Sequence, residues 1–278
     1  MGKISRTWSL MGMSWRILME DKKVLLFPVM SLMSCLAVAA TFIVPLFMTG
    51  KWHPPTATTP TGQQIAYYAF LFLYYYCNYF VIVFFNASLV SYIVMRMNGD
   101  QPTVGDAFSA SLARLPLIAG WALIAATVGL ALKIIEDRSD KIGAIVAAVM
   151  GSAWAMVTFL VIPVLVVEQK NPFSALKEST MLLKQTWGER IAMRFSFSAI
   201  SFLLMIPAFG VLVLGFMAHN PVVLLACIGV FVLYVLLLSL VQSALEAIFQ
   251  TAIYFYARHS LVPAGFDESV LQSAIAAR

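Results

Sequence analysis

Six long runs of apolar residues constrain this chain more than any other feature of its sequence. Each run reaches the roughly 20 residues that a helix needs to cross the hydrocarbon core of a bilayer. In lipid every backbone N–H and C=O group needs a partner within the protein, so runs of this length are predicted to be helices. The second and sixth runs are the longest, and we expect them to tilt or to project beyond the membrane. The predicted spans are about 24–48, 65–95, 115–135, 142–167, 191–218 and 221–257.

The amino-acid composition also indicates a membrane protein. Of the 278 residues, 61% are hydrophobic and 11% are charged, whereas soluble domains carry about 25% charged residues. The basic residues form no stripe with interleaved aromatic residues, so nucleic acid is not an expected partner. The first apolar run is longer than the roughly 7–15 residues of a signal-peptide core, so we expect a retained span.

Lysine and arginine are distributed unequally between the two sides of this topology. Fourteen of the 18 lie before the first run, after the second and fourth runs, or in the tail, and four lie in the opposite loops. Basic residues mark the cytoplasmic side of membrane proteins. We therefore expect a protein of the bacterial inner membrane with its N and C termini in the cytoplasm.

After the second, fourth and sixth spans, a proline and then a short amphipathic stretch follow on the predicted cytoplasmic side. This recurring unit indicates an internal repeat. Thr103 with Asp106 resembles a capping box, and Asn171 and Pro172 suit an N-cap and a first helical turn. The expected fold is an all-α integral membrane domain over 1–278 with three copies of interfacial helix, span, outer loop and span. The alternative is a set of ordinary loop helices with accidental similarity. The predicted interfacial amphipathic helices are about 4–19, 103–114, 171–187 and 266–277.

Tryptophans are the predicted interfacial anchors of these helices. Trp8 and Trp15 lie on the apolar stripe of the first helix, and Trp187 lies at the end of the third. Their rings suit the depth of the lipid headgroups. In the third helix an apolar stripe begins at Phe173 and is predicted to face the membrane.

Polar residues within the spans are the candidate functional residues. Gln242, Glu246 and Gln250 are four residues apart, so they line one face of the sixth span. A carboxylate at bilayer depth marks a functional site, although Glu246 could instead pair with a nearby arginine. Asn78 and Asn86 of the second span could bond to these residues or hold helices together. We call these five residues the polar seam.

Small residues recur every four positions along the fourth span, at Gly143, Ala147, Gly151 and Ala155. This pattern favours close helix packing, within the bundle or at a subunit contact. No P-loop, HExxH, GxSxG or GxGxxG motif occurs, so we expect a non-enzyme with no catalytic residues. The cysteines lack CxxC spacing and the histidines are scattered, so we expect no metal and no cofactor.

Three segments carry a resemblance to known proteins. They are Phe85-Asn86-Ala87-Ser88, the span with Trp154, Pro163 and Glu168, and the loop Ser179-x6-Thr186-Trp187-Gly188. Over about 5–260 the chain resembles a family of uncharacterised bacterial six-span membrane proteins. It is also similar to the membrane domain that precedes some glycerophosphodiester phosphodiesterases. The resemblance implies the fold and brings no activity, because the phosphodiesterase catalytic domain is not part of this sequence.

Two functions are compatible with these features. The first is a small permease, channel-like or lipid-handling protein that uses the polar seam. The alternative is a non-catalytic scaffold or accessory subunit of a larger complex. Membrane lipids are the expected partners, together with another membrane protein or a second copy of the chain.

Overall fold

The protein is described by a computed structural model whose described residues are 3–48, 59–138, 141–185 and 187–259. Side chains are described for 12–48, 59–136, 143–182 and 202–258. This part of the chain is helical and contains no strand, as the apolar runs predict. The helices are α1 (Lys3–Glu20), α2 (Leu26–Met48), α3 (Thr61–Met97), α4 (Val104–Leu112), α5 (Leu115–Arg138), α6 (Lys141–Val157), α7 (Val161–Glu168), α8 (Pro172–Gln185), α9 (Trp187–Met217) and α10 (Pro221–His259), with a 3₁₀ turn at Lys22–Leu25.

Five helical segments of the described chain are long and apolar enough to cross a membrane. In the fifth predicted span, the apolar stretch of α9 with described side chains is Phe202–Met217, which is shorter than a span, so the sixth crossing stays a prediction. With 37 and 39 residues, α3 and α10 are each about 55–60 Å long, well beyond the roughly 30 Å bilayer core. The five segments are Lys22–Met48, Thr61–Met97, Leu115–Glu136, Gly143–Glu168 and Pro221–Arg258.

The helices form two compact units, and the first contains α1, α9 and α10. In this unit α9 and α10 pack as a hairpin, and α1 packs against both. Gly215 permits the close approach, because a Cβ atom there would lie 2.7 Å from the Cβ of Cys227. The turn between the two helices ends at Asn220, whose Oδ1 accepts the Val222 N–H at 2.9 Å. Pro221 then occupies the first position of α10, which needs no N–H donor.

The second unit, Leu26–Leu183, contains two helix pairs, α2 with α3 and α5 with α6. The long helix α3 also packs against α4, α5 and α7. Trp121 of α5 stacks on Trp154 of α6 with ring centroids 5.8 Å apart. A Cβ atom at Gly151 would lie 3.8 Å from Leu132 of α5. The small-residue pattern of the fourth span is therefore used, at this position, for packing within the unit.

The short helices begin where the capping residues predict. The Thr103 Oγ1 accepts the Asp106 N–H at 3.2 Å, and the Asp106 Oδ2 accepts the Thr103 N–H at 2.8 Å, which confirms the capping box. Hydrogen bonds to the Asp106 carboxyl group from the Thr103 N–H and from the Thr103 hydroxyl hold its pKa below its usual value. The Asn171 Oδ1 accepts the Ser174 N–H at 2.8 Å, and Pro172 is the first residue of α8. The predicted tail helix 266–277 lies outside the described residues.

Among the described side chains, a buried serine occurs in each of the short helices that were predicted to be interfacial: Ser14 in α1, Ser111 in α4 and Ser179 in α8. A leucine follows each of them four residues later. The surroundings are also alike, because α1 packs against α10 and α4 against α3, while Ser179 bonds to the junction of α6 and α7. Each of these three helices thus contacts the later span of a pair: α10 for α1, α3 for α4, and the fourth span, which consists of α6 and α7, for α8.

Helix α8 has a buried face that is separate from the apolar stripe predicted to face the membrane. Ala175, Ser179 and Leu182 are buried against the protein, whereas Phe173 at the head of the predicted stripe is 73% exposed. The small residues allow α8 to approach the broken fourth span closely, and the bulkier Phe173 is left outside this contact. Periodicity revealed the apolar face of α8 but not the face that packs.

Candidate functional site

The predicted polar residues of α10 are all half-buried, and two of them lie in an otherwise buried part of the helix. From Ala244 to Tyr254 every residue except Glu246 and Gln250 is buried, and Gln242 is half-buried as well. We call Gln242, Glu246 and Gln250 the polar stripe. It lies within the segment Pro221–Arg258, which is long and apolar enough to cross a membrane.

Two members of the polar stripe lie close together. The Gln250 Nε2 donates to the Glu246 Oε1 at 3.5 Å, which is at the outer limit of a hydrogen bond. The Gln250 amide is therefore one neighbour of the Glu246 carboxyl group. Both side chains are half-buried.

The two asparagines of the polar seam belong to the second unit. The Asn78 Nδ2 donates to the Tyr74 carbonyl of its own helix at 2.9 Å. Asn86 is half-buried, and within the described part of the chain its side chain forms no hydrogen bond. The predicted bonds from this pair to the polar stripe stay a prediction, because α3 and α10 belong to different units.

Of the predicted tryptophan anchors, Trp15 has a described side chain. It is 48% exposed, as suits a ring in contact with lipid headgroups. The side chains of Trp8 and Trp187 lie outside those that the structure describes.

The fourth span is interrupted, which the sequence analysis did not predict. Helix α6 ends at Val157 and α7 begins at Val161, and the residues between them form a turn in which the Val161 N–H bonds to the Thr158 carbonyl at 3.0 Å. Pro163 lies just after the turn, and without an N–H it cannot donate to the Phe159 carbonyl. Interrupted spans leave backbone groups that other parts of the protein must satisfy.

Ser179 of α8 satisfies two of these backbone groups. Its Oγ accepts the Leu160 N–H at 3.1 Å and donates to the Val157 carbonyl at 2.7 Å. Leu160 and Val161 are fully buried, so water does not reach the junction easily. Pro163 is a sequence signal of a kink in this span, but it does not indicate the partner in α8.

Residues from each of the three segments that carry the resemblance contact other residues of the second unit. Trp154 stacks on Trp121, Ser179 bridges the interrupted span, and the Ser88 Oγ bonds to the Phe84 carbonyl at 2.9 Å. Buried groups of this kind hold a fold together. These residues of the three segments therefore take part in packing and hydrogen bonding within the second unit.

An ion cluster joins α7 to α8. The Lys170 Nζ lies 3.0 Å from the Glu178 Oε2 and also pairs with Glu168. Hydrogen bonds from the ammonium group to Glu168 and to Glu178 raise the pKa of Lys170 above its usual value. Gln169 between these residues has a φ of 51°, a left-handed conformation that ends α7 and lets the chain turn back into α8.

No group of three or more histidine, cysteine, aspartate or glutamate side chains that could hold a metal ion occurs among the described residues. The polar stripe contains two amides and one carboxyl group. These groups can exchange hydrogen bonds with a polar solute or a headgroup, and the carboxyl group can take up a proton.

Comparison with known proteins identifies a family for most of the chain. No curated protein matches the sequence. No solved structure matches it. The similarity to the membrane domain that precedes some glycerophosphodiester phosphodiesterases stays a prediction. The model of DUF6159, a family of unknown function, matches residues 65–264. This match covers α3 to α10, including the polar stripe and the interrupted span, and the chain therefore belongs to the DUF6159 family.

Proposed function

We propose that the protein moves a small polar solute or a lipid headgroup along the polar stripe of α10, as a small permease, channel-like or lipid-handling protein. The supporting observation is the accessibility of the stripe. Its three residues are half-buried, whereas every other residue from Ala244 to Tyr254 is buried. A polar stripe that served only to hold helices together would be enclosed like its neighbours.

The proposed topology has six spans, with both termini in the cytoplasm of a bacterial cell and the protein in the inner membrane. The α9 and α10 hairpin supports a crossing by α9, which would bring the number of spans to six. Helix α9 has 31 residues and an apolar second half. The buried serine of each short helix supports the threefold repeat. The distribution of lysine and arginine supports the orientation.

Substitution of Glu246 by glutamine tests the proposed function. This change removes the carboxyl group but keeps the size of the side chain and one accepting oxygen, and it adds an NH2 donor. The protein is reconstituted into vesicles of phosphatidylethanolamine and phosphatidylglycerol. Transbilayer movement of a fluorescent phosphatidylglycerol is followed by dithionite quenching, and glycerol entry is followed by light scattering.

We expect at least one of these two rates to exceed that of protein-free vesicles and to change about tenfold or more in the Glu246→Gln variant. Ser239→Ala is the matched control, because the Ser239 Oγ bonds to the Val235 carbonyl of its own helix at 2.8 Å. Rates equal to those of empty vesicles for the unaltered protein, or equal rates for the two variants, would contradict the proposal.

The scaffold alternative predicts a stable partner in the membrane. It is the weaker proposal, since Gly151 of the small-residue pattern lies against Leu132 of the same unit. Detergent extraction and co-purification would reveal such a partner.

A further inference from the structure

The face of α1 that points away from the protein carries two large apolar side chains. On the opposite face, Ser14 and Leu18 are buried, in agreement with the packing of α1 against α10 and α9. Trp15 is 48% exposed and Met19 is 51% exposed. Residues four apart lie on one side of a helix, so these two side chains form a continuous apolar ridge on the outside of α1.

Three exposed basic side chains lie close to this ridge in the sequence. Arg16 follows Trp15, and Lys22 and Lys23 lie in the 3₁₀ turn after α1. This turn is held at the end of the helix, because the Lys23 N–H donates to the Asp21 Oδ1 at 3.1 Å. We call Trp15, Arg16, Met19, Lys22 and Lys23 the outer face of α1.

The charge of this part of the chain is positive. Residues 1–25 contain five basic and two acidic residues. Of the two acidic residues, Asp21 is buried, whereas Glu20 is exposed. A surface with an excess of lysine and arginine attracts anionic partners.

The outer face ends where a segment that can cross a membrane begins. Lys22 is the first residue of Lys22–Met48, which is long and apolar enough for a crossing. Lysine and arginine next to a crossing segment lie near the lipid headgroups, and tryptophan rings lie at the same depth. The membrane surface is therefore the partner nearest to this face, and the positive charge favours anionic headgroups.

We propose that the outer face of α1 binds anionic phospholipid, with the basic side chains on the headgroups and Trp15 and Met19 among the upper methylene groups. Exposed side chains contact a bilayer surface directly, so this site needs no cavity. The helix is already packed on α10 and α9, so binding does not have to order it. No residue of the outer face belongs to the polar stripe, so the site does not depend on the proposed function.

A second copy of the chain is the other candidate occupant of an apolar ridge. A symmetric contact uses the same face of both copies. Arg16, Lys22 and Lys23 of one copy would then lie close to the same residues of the other, and like charges are unfavourable at an interface. The charge of the outer face therefore favours lipid over self-association.

The experiment measures which lipid lies next to Met19 in the full chain. Cys35, Cys77 and Cys227 are replaced by alanine, and Met19→Cys is labelled with a fluorophore whose emission reports its polarity. The protein is placed in nanodiscs of phosphatidylcholine with about 30% phosphatidylglycerol, a share that makes the surface anionic. Either lipid then carries a spin label just below its headgroup, and quenching is compared at equal amounts of spin label.

We expect spin-labelled phosphatidylglycerol to quench about twofold or more strongly than spin-labelled phosphatidylcholine, because cations near the surface attract anionic lipid. In the combined variant Arg16→Gln, Lys22→Gln and Lys23→Gln this ratio should fall to about one, as it should at high salt. For a matched comparison of single charges, Lys23→Gln should lower the ratio. Lys177→Gln should leave it unchanged, because Lys177 is an exposed lysine of α8.

Three outcomes would overturn the proposal. Equal quenching by the two lipids in the protein with all its basic residues would remove the preference for anionic lipid. Emission typical of water, with no quenching by either lipid, would remove the membrane contact altogether. A blue shift confined to nanodiscs that hold two copies of the chain would assign the outer face to self-association.

Discussion

Substitution of Ser179 by alanine removes two hydrogen bonds that close the interrupted fourth span. The Ser179 Oγ accepts the Leu160 N–H and donates to the Val157 carbonyl, and both backbone groups would lose this partner. A buried polar group left unsatisfied costs about 1–3 kcal/mol. Leu160 is fully buried, so water cannot easily replace the hydroxyl. We therefore expect the free energy of unfolding to fall by about 2–4 kcal/mol.

The adjacent residue provides the control for this prediction. Thr180 also carries a hydroxyl, but its Oγ1 donates to the Leu176 carbonyl of its own helix at 2.8 Å. Thr180→Ala removes no contact between elements, so we expect a change below about 0.5 kcal/mol. Both variants are unfolded by denaturant titration in the same detergent, with helix content as the signal.

Amide hydrogen exchange gives a local readout of the same contact. In Ser179→Ala the Leu160 amide loses its acceptor, so its exchange should accelerate relative to amides in the middle of α5. Equal unfolding free energies for the two variants would refute the assignment of Ser179 as the closure of the span. An unchanged exchange rate at Leu160 would refute it independently.

Two further predictions concern helix packing and the ion cluster. Gly215→Ala should destabilise the protein by about 1–3 kcal/mol, because its new Cβ would lie 2.7 Å from the Cβ of Cys227. Gly210→Ala in the same helix is the control, because a Cβ atom there has no neighbour within 4 Å. In the same denaturant titration this control should be neutral or stabilising. Lys170→Met should destabilise by roughly 0.5–1 kcal/mol at neutral pH, whereas Met in place of the exposed Lys177 should have little effect. Because the folded-state pKa of Lys170 is raised, its contribution should persist up to the usual lysine pKa and disappear as the pH rises above it. Thermal unfolding of wild type and Lys170→Met measures this contribution. A difference in their stability that stays constant up to strongly alkaline pH would contradict this reasoning.

Local signals in the sequence predicted the helices and their starting points well. The capping box of Thr103 and Asp106 and the start of α8 at Asn171 and Pro172 depend on neighbouring residues alone, so they could be read directly. Of the six predicted spans, five correspond to described segments that are long and apolar enough to cross a membrane, since length and composition decide them.

The break in the fourth span could not be predicted in this way. From Val157 to Val166 nearly every residue is apolar, so periodicity carries no information there. Pro163 indicates a kink but does not show which residues end the helix. The decisive contact comes from Ser179, 22 residues after Val157, and such a distant contact leaves no local pattern. The polar stripe was predictable from spacing, whereas its partial exposure depends on packing around α10.

The three buried serines suggest how copies of one repeated unit acquire different roles. In α8 the hydroxyl of Ser179 is used by the backbone of an interrupted span. In α1 and α4 the hydroxyls of Ser14 and Ser111 have no partner within the described chain. In α8 the Val157 carbonyl and the Leu160 N–H are the partners of this buried position. On the proposed repeat, the closure of the interrupted fourth span is therefore a use that α8 makes of a buried serine which the described parts of α1 and α4 also carry.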